Sequence, residues 1–152
     1  MSTVFQEPID RLVARRDELL SAWGPVTLDA VTVARFSEAL GWPVEANKET
    51  VPPAILLQLG NVEIDITRDA RPHEDIDPGL VNAVNGGTAM RWFRPLKAGE
   101  GISGQVRLKD AYIREGKSGA MAIVLIETIF LDTASQPVAS AQKTTIFRGT
   151  AP

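Results

Sequence analysis

The chain has 152 residues, 44% of them hydrophobic and 23% charged, with a net charge of -3, a balance that suits one globular domain with a single core and excludes a disordered or fibrous chain. The mild negative charge offers no general attraction to nucleic acid or to an anionic membrane. Cysteine is absent and His73 is the only imidazole, which removes disulfides, thiolate nucleophiles and cysteine-based metal sites, and leaves a zinc site short of ligands unless two carboxylates join that histidine.

Pro8 suits the first turn of a helix, and Ile9, Leu12, Val13, Leu20 and Trp23 recur near helical spacing up to Gly24-Pro25. That spacing predicts a packed front helix, making residues 1–25 a helical extension of one domain spanning 1–152. The charges of Asp10, Arg11, Arg15, Arg16, Asp17 and Glu18 exclude a signal-peptide core there, and no apolar run approaches the roughly 20 residues that span a bilayer. A cytoplasmic protein without a membrane partner is the expectation. Val26 and Leu28 suggest a short strand, and Asp29 caps a second helix with Val33, Phe36 and Leu40 on one face, ended by Gly41. After the Trp42-Pro43 loop, Pro52-Pro53 leads an apolar run, Ala54 to Leu59, that reads as a short buried helix.

Between Asn61 and Pro78 the chain is crowded with charge, with Ile64 and Ile66 as a brief edge strand at most, and a long exposed connection of this kind can act as a lid. After Asn85-Gly86-Gly87, read as a tight turn, the period changes to two. Ile102, Gly104, Val106 and Leu108 alternate with polar residues, residues 120–131 are apolar almost throughout, and a last strand runs from Val138 to Arg148. Gly116-Lys117-Ser118-Gly119 and Ser135-Gln136-Pro137 supply the turns. The implied architecture is α+β: a curved antiparallel sheet wrapped around the short helix near Ala54–Leu59, with the apolar strand 120–131 covered on both faces.

Several landmarks, in order, resemble the MaoC-like hydratase and dehydratase family, and its N-terminal, FAS1-like dehydratase half in particular. They are Val33 to Gly41, Val51-Pro52-Pro53, Asn85-Gly86-Gly87, Phe93-Arg94-Pro95-Leu96 and Gly99-Glu100. The resemblance covers about residues 26 to 148. It implies a hot dog fold and an enoyl-thioester hydratase or 3-hydroxyacyl-thioester dehydratase system of fatty acid metabolism, acting on acyl chains carried by coenzyme A or acyl carrier protein, with no cofactor. Hydration needs one group to deprotonate water, a second to manage the proton at the neighbouring carbon, and N–H donors aimed at the thioester oxygen. Catalytic members carry an Asp and a His between the front helix and the central helix. Here that interval, Gly41 to Thr50, contains neither, and Pro52 and Pro53 remove two N–H donors where a His-Gly pair normally stands.

The resemblance therefore implies an acyl-binding subunit without a complete active site, working as a homodimer or as a heterodimer with a catalytic hot dog subunit. One alternative is a stand-alone enzyme with an atypical site at His73, assisted by Asp75 or Asp77, although Arg71-Pro72-His73-Glu74-Asp75 reads more plainly as an exposed loop. Another is an NTF2-like small-molecule binding protein. Asn85, Gly86 and Gly87 are candidate substrate contacts, since an amide can orient water or a thioester. Arg91 and Arg94 are candidate phosphate contacts for coenzyme A, three apart and hence on opposite faces of a strand. Glu127, inside an otherwise apolar strand, needs a charge partner.

Overall fold

The computed structural model describes residues 5–42, 50–59 and 81–149. In chain order these are α1 (Gln6–Ala14), β1 (Leu19–Thr27), α2 (Ala30–Leu40), β2 (Thr50–Val51), a helical turn α3 (55–59), β3 (Val81–Trp92), β4 (Leu96–Lys97), β5 (Gly101–Gly116), β6 (Gly119–Leu131) and β7 (Pro137–Gly149). Five strands form one antiparallel sheet in the order β1-β5-β6-β7-β3, and β2 and β4 make a separate two-stranded pair.

The meander β5-β6-β7 follows the sequence closely. Gly116 pairs with Gly119 around the Lys117-Ser118 turn, and β7 begins at Pro137 after a turn whose Asp132 carboxylate accepts the N–H groups of Ala134 and Gln136. Along β5 every second residue from Ile102 to Leu108 is buried. β6 alternates as well: Ala122, Val124, Ile126, Thr128 and Phe130 face the core, whereas Leu125, Glu127, Ile129 and Leu131 stay half-buried on the opposite, outer face. Among the described residues the expected cover is complete on the inner face, whereas on the outer face of β6 only Ile123 is buried. Glu127 lies on the outer face of the central strand and pairs with Lys109 at 3.6 Å.

The front of the chain departs from expectation. α1 ends at Ala14, not near Trp23; Asp17 adopts a left-handed φ of 64° and donates its N–H to the Leu108 carbonyl, starting β1 alongside β5. Register shifts between Leu19 and Ser21 and between Trp23 and Val26 interrupt the two-residue alternation of β1. Leu20, Trp23 and Val26, three apart, consequently all pack against the core, and two bulges imitate the spacing of a helix. α1 itself packs against β5 through Ile9 and Leu12.

α2 is capped as its sequence predicts: Asp29 Oδ1 accepts the Thr32 N–H at 2.9 Å, and Gly41 closes the helix at φ 64°. These bonds and the Thr32 hydroxyl hold the Asp29 carboxyl below its ordinary range, the hydroxyl most of all. Val33 and Ser37 are the buried positions, Phe36 is half-buried, and Leu40 is exposed contrary to expectation. In α3, Ile55 and Leu56 join the same core as Ile102 and Phe130, so the sheet and the proline-led helix share one interior.

Candidate functional site

The entrance to α3 is built from backbone that has little left to donate. Pro52 and Pro53 have no N–H. Beyond Ala54 the donors turn back on the chain: Ile55 to the Pro52 carbonyl at 3.1 Å, Leu56 to Pro53 at 3.3 Å and Leu57 to Ala54 at 3.0 Å. The Pro53 carbonyl also accepts the Trp92 indole N–H at 3.2 Å, which ties the end of β3 to the start of α3.

Asn85-Gly86-Gly87 is not a tight turn. It is a bulge inside β3, where Asn85 pairs with Thr145 and Gly87 with Thr144, leaving Gly86 as the extra residue. Asn85 Oδ1 accepts the Gly87 N–H at 2.9 Å, and Gly87 adopts φ 121°, which glycine tolerates. A Cβ on Gly86 would stand 2.9 Å from Thr144 Cγ2, so the bulged backbone lies close against β7.

Register assigns the side chains of β3 and β7 to faces. Thr88 pairs with Lys143 and Lys143 with Ile126, while Asn85 pairs with Thr145 and Thr145 with Val124. Ile126 and Val124 face the core, so Asn85, Thr88, Lys143 and Thr145 occupy the same inner face of the sheet. Buried Ala139 and Phe147 lie at either end of this stretch of β7, and between them the inner face is partly open. In the sequence Thr88 and Thr145 carry no motif, and Lys143 has the same standing as the arginines, a possible phosphate contact with surface ion pairing as the default; only the register with Val124 and Ile126 places these residues on the inner face.

The two arginines separate. Arg91 is in register with Ser140 and Ile129, on the outer face, and its guanidinium stands 5.5 Å from the Phe93 ring centroid. Arg94 lies beyond the end of β3, so the two do not alternate along one strand. Its guanidinium donates to both Glu100 carboxylate oxygens, to Asp132 Oδ2 at 3.0 Å and to the Pro95 carbonyl at 2.9 Å. The hydrogen bond from Arg94 holds the Glu100 carboxyl below its ordinary range, and Asp132 is lowered chiefly by the Gln136 N–H, with Arg94 contributing. Two carboxylates already neutralise this cation, so the structure makes Arg94 a clasp between the segment before β5 and the β6–β7 turn rather than a free phosphate ligand. Asp132, the second carboxylate, carries no motif that would single it out in the sequence.

His73, Asp75 and Asp77 lie outside the described residues. Among the described residues no group of His, Asp and Glu side chains could hold a metal ion, and no helix is long and apolar enough to cross a membrane.

A curved antiparallel sheet sharing its core with a short proline-led helix is the hot dog arrangement, and solved structures share it, among them the following three. The monoamine oxidase regulatory protein of Archaeoglobus fulgius aligns over 90% of this chain and 92% of its own, at 15% identity and a TM-score of 0.65. The C-terminally truncated HadBC (3R-hydroxyacyl-ACP dehydratase) complex of Mycobacterium tuberculosis aligns over 87% and 96%, at 14% identity and 0.61. The ChsH1-ChsH2 complex of the same organism aligns over 97% and 93%, at 17% identity and 0.61. No curated protein matches the sequence. Residues 25–141 match the family described as FAS1-like, dehydratase domain region, and the chain belongs to that family. It is a MaoC-like hot dog protein of the hydratase type, and the NTF2-like alternative is set aside by this match and by the fold.

Proposed function

We propose that the chain is the acyl-binding subunit of an enoyl-thioester hydratase or 3-hydroxyacyl-thioester dehydratase, paired with a second hot dog chain that supplies the catalytic Asp and His. The observation that carries this reading is the entrance to α3. Residues 41–50 contain no Asp or His, Pro52 and Pro53 have no N–H, and of the donors that follow, those of Ile55, Leu56 and Leu57 are engaged by backbone carbonyls, which leaves Ala54 alone at the mouth of the helix. A developing thioester oxyanion needs free donors aimed at it, and water needs a base.

Pairing is supported by the edge of the sheet. Among the described residues β3 has a neighbour on one side only, and Val84, Trp92 and Phe93 on or just after it, with Leu57 of α3, are large exposed apolar residues. A 12-residue strand at the edge of the described sheet, bordered by such side chains, suits the addition of another sheet. HadBC and ChsH1-ChsH2 are themselves complexes of two named components.

The test is hydration of a trans-2-enoyl coenzyme A thioester by the purified chain. Negligible turnover alone, with turnover appearing when a catalytic hot dog partner is added, is the expected result. Brisk turnover by the isolated chain, abolished by His73→Ala, would overturn the partner reading in favour of a stand-alone enzyme.

A further inference from the structure

We infer that Lys143, with Asn85, Thr88 and Thr145, forms an anion subsite on the inner face of the sheet, and that it selects acyl thioesters whose chain carries a second carboxylate. This inference rests on the acyl-binding reading above and specifies the class of acyl group.

Four observations carry it. Lys143 stands on the core-facing side of β7, in register with Ile126 and Thr88, and is half-buried. Its two flanking residues on that face are Ala141 and Thr145, and neither its own row (Leu108, Ile126, Lys143, Thr88) nor the next (Ala111, Val124, Thr145, Asn85) contains an acidic side chain. Lys143 has no hydrogen bond or ion pair among the described residues, whereas Arg16, Arg94 and Lys109 each have a carboxylate partner. Asn85 spends its side-chain oxygen on the Gly87 N–H, so its Nδ2 is left with donors and, among the described residues, no acceptor.

The cluster is consequently rich in donors: an ammonium, an amide NH2 and two hydroxyls beside apolar Ile126 and Val124. A cation at the margin of an apolar core gains most from a counter-charge, and a carboxylate matches both the charge and the spread of donors across two strands. A bare alkyl chain would pass this group without using it.

Position decides which part of the ligand meets it. The Trp92–Ala139 row marks the α3 entrance, because Trp92 bonds Pro53. Lys143 lies four residues further along β7, about 13 Å at the usual strand rise. The subsite is therefore set away from the entrance where a thioester would be held, at a distance suited to the far end of a medium-length acyl chain.

The experiment measures the affinity of the full chain for decanedioyl coenzyme A and decanoyl coenzyme A by calorimetry. The dicarboxylic thioester is expected to bind about tenfold tighter or better, the scale of one charge-assisted contact. Lys143→Met keeps most of the stem and should erase that preference while leaving decanoyl coenzyme A binding unchanged. Asn85→Asp, which keeps an acceptor for the Gly87 N–H and places a carboxylate beside Lys143, should erase it too and serves if the first variant folds poorly. Equal affinity of the wild type for both thioesters, or a preference that survives both substitutions, overturns the subsite and leaves acyl binding standing. Failure to bind either thioester overturns both readings together.

Discussion

The indole of Trp23 occupies the space in which a side chain on Gly104 would stand: a Cβ built there would overlap Trp23 at Cε2, Cζ2 and Nε1. The two residues are partners in register across β1 and β5, and Trp23 meets Phe130 edge-on with centroids 6.0 Å apart. Gly104→Ala should therefore destabilise the fold by about 2–3 kcal/mol through overpacking, read by denaturant unfolding. Pairing it with Trp23→Leu should recover part of that loss, because the smaller side chain vacates the contested volume. Trp23 Nε1 is buried with no hydrogen-bond partner among the described residues, so Trp23→Phe should cost less than truncation of a buried, bonded tryptophan.

The Arg94 clasp gives a dependence on pH whose sign follows from its carboxylates. Both are lowered in the fold: Glu100 first by the hydrogen bond from Arg94, Asp132 first by the Gln136 N–H and then by Arg94. A folded pKa below the unfolded one contributes stability that is present above the unfolded value and lost as pH falls through the folded value. Taking the ordinary values of 4.5 for Glu100 and 3.8 for Asp132, the melting temperature should hold from neutral pH down to that range and fall below it. Arg94→Met should lower the melting temperature by a few degrees at pH 7 and flatten the acid limb; an unchanged acid limb would contradict the assignment.

How much of the molecule is legible in its sequence depends on local regularity. The meander β5-β6-β7 can be read because β5 alternates from Ile102 to Leu108, β6 is a continuous apolar run and its turns carry glycine and proline. β1 misleads because a bulge gives Leu20 and Trp23 the spacing of a helix, and a bulge leaves no mark in composition; Val26, read as a strand residue, lies in β1. Asn85-Gly86-Gly87 reads as a turn for the same reason: asparagine and glycine serve both purposes, and only pairing with Thr144 and Thr145 separates them. Arg94 is visible as a motif residue, but its role depends on Asp132, 38 positions away, and spacing along the chain says nothing of that meeting.

Because the bulge in β3 is held by two different devices, its substitutions should separate. Gly87 adopts φ 121° with open space where a methyl group would stand, so Gly87→Ala should cost about 1–2 kcal/mol from backbone strain alone. Asn85→Ala removes one hydrogen bond at an exposed site and should cost about 1 kcal/mol or less. Urea unfolding of both variants ranks them, and the reverse order would contradict the bulge geometry.

If β3 receives a partner sheet, its exposed apolar neighbours should matter to assembly and little to the folded chain. Leu57 and Val84 are both large, exposed and hydrophobic. Leu57→Glu and Val84→Lys should weaken association with a hot dog partner by about tenfold or more while leaving the melting temperature of the chain nearly unchanged. Analytical ultracentrifugation measures the first and calorimetry the second. A large loss of stability with unaltered association would place these residues in the interior instead.

The charged segment that contains His73, Asp75 and Asp77 supplies the sharpest contest between the partner reading and a stand-alone enzyme. General acid–base work by those side chains would contribute on the order of 100-fold or more to the rate, so removing them from a self-sufficient enzyme could not pass unnoticed. The two prolines and the engaged Ile55, Leu56 and Leu57 donors at the α3 entrance argue for the opposite outcome. In a reconstituted complex with a catalytic partner, His73→Gln, Asp75→Asn and Asp77→Asn should each leave kcat within about twofold of the wild type, since the proton transfers belong to the other chain. A fall in kcat of about 100-fold for His73→Gln, with KM unchanged, would move the chemistry into this chain and end the division of labour proposed for it.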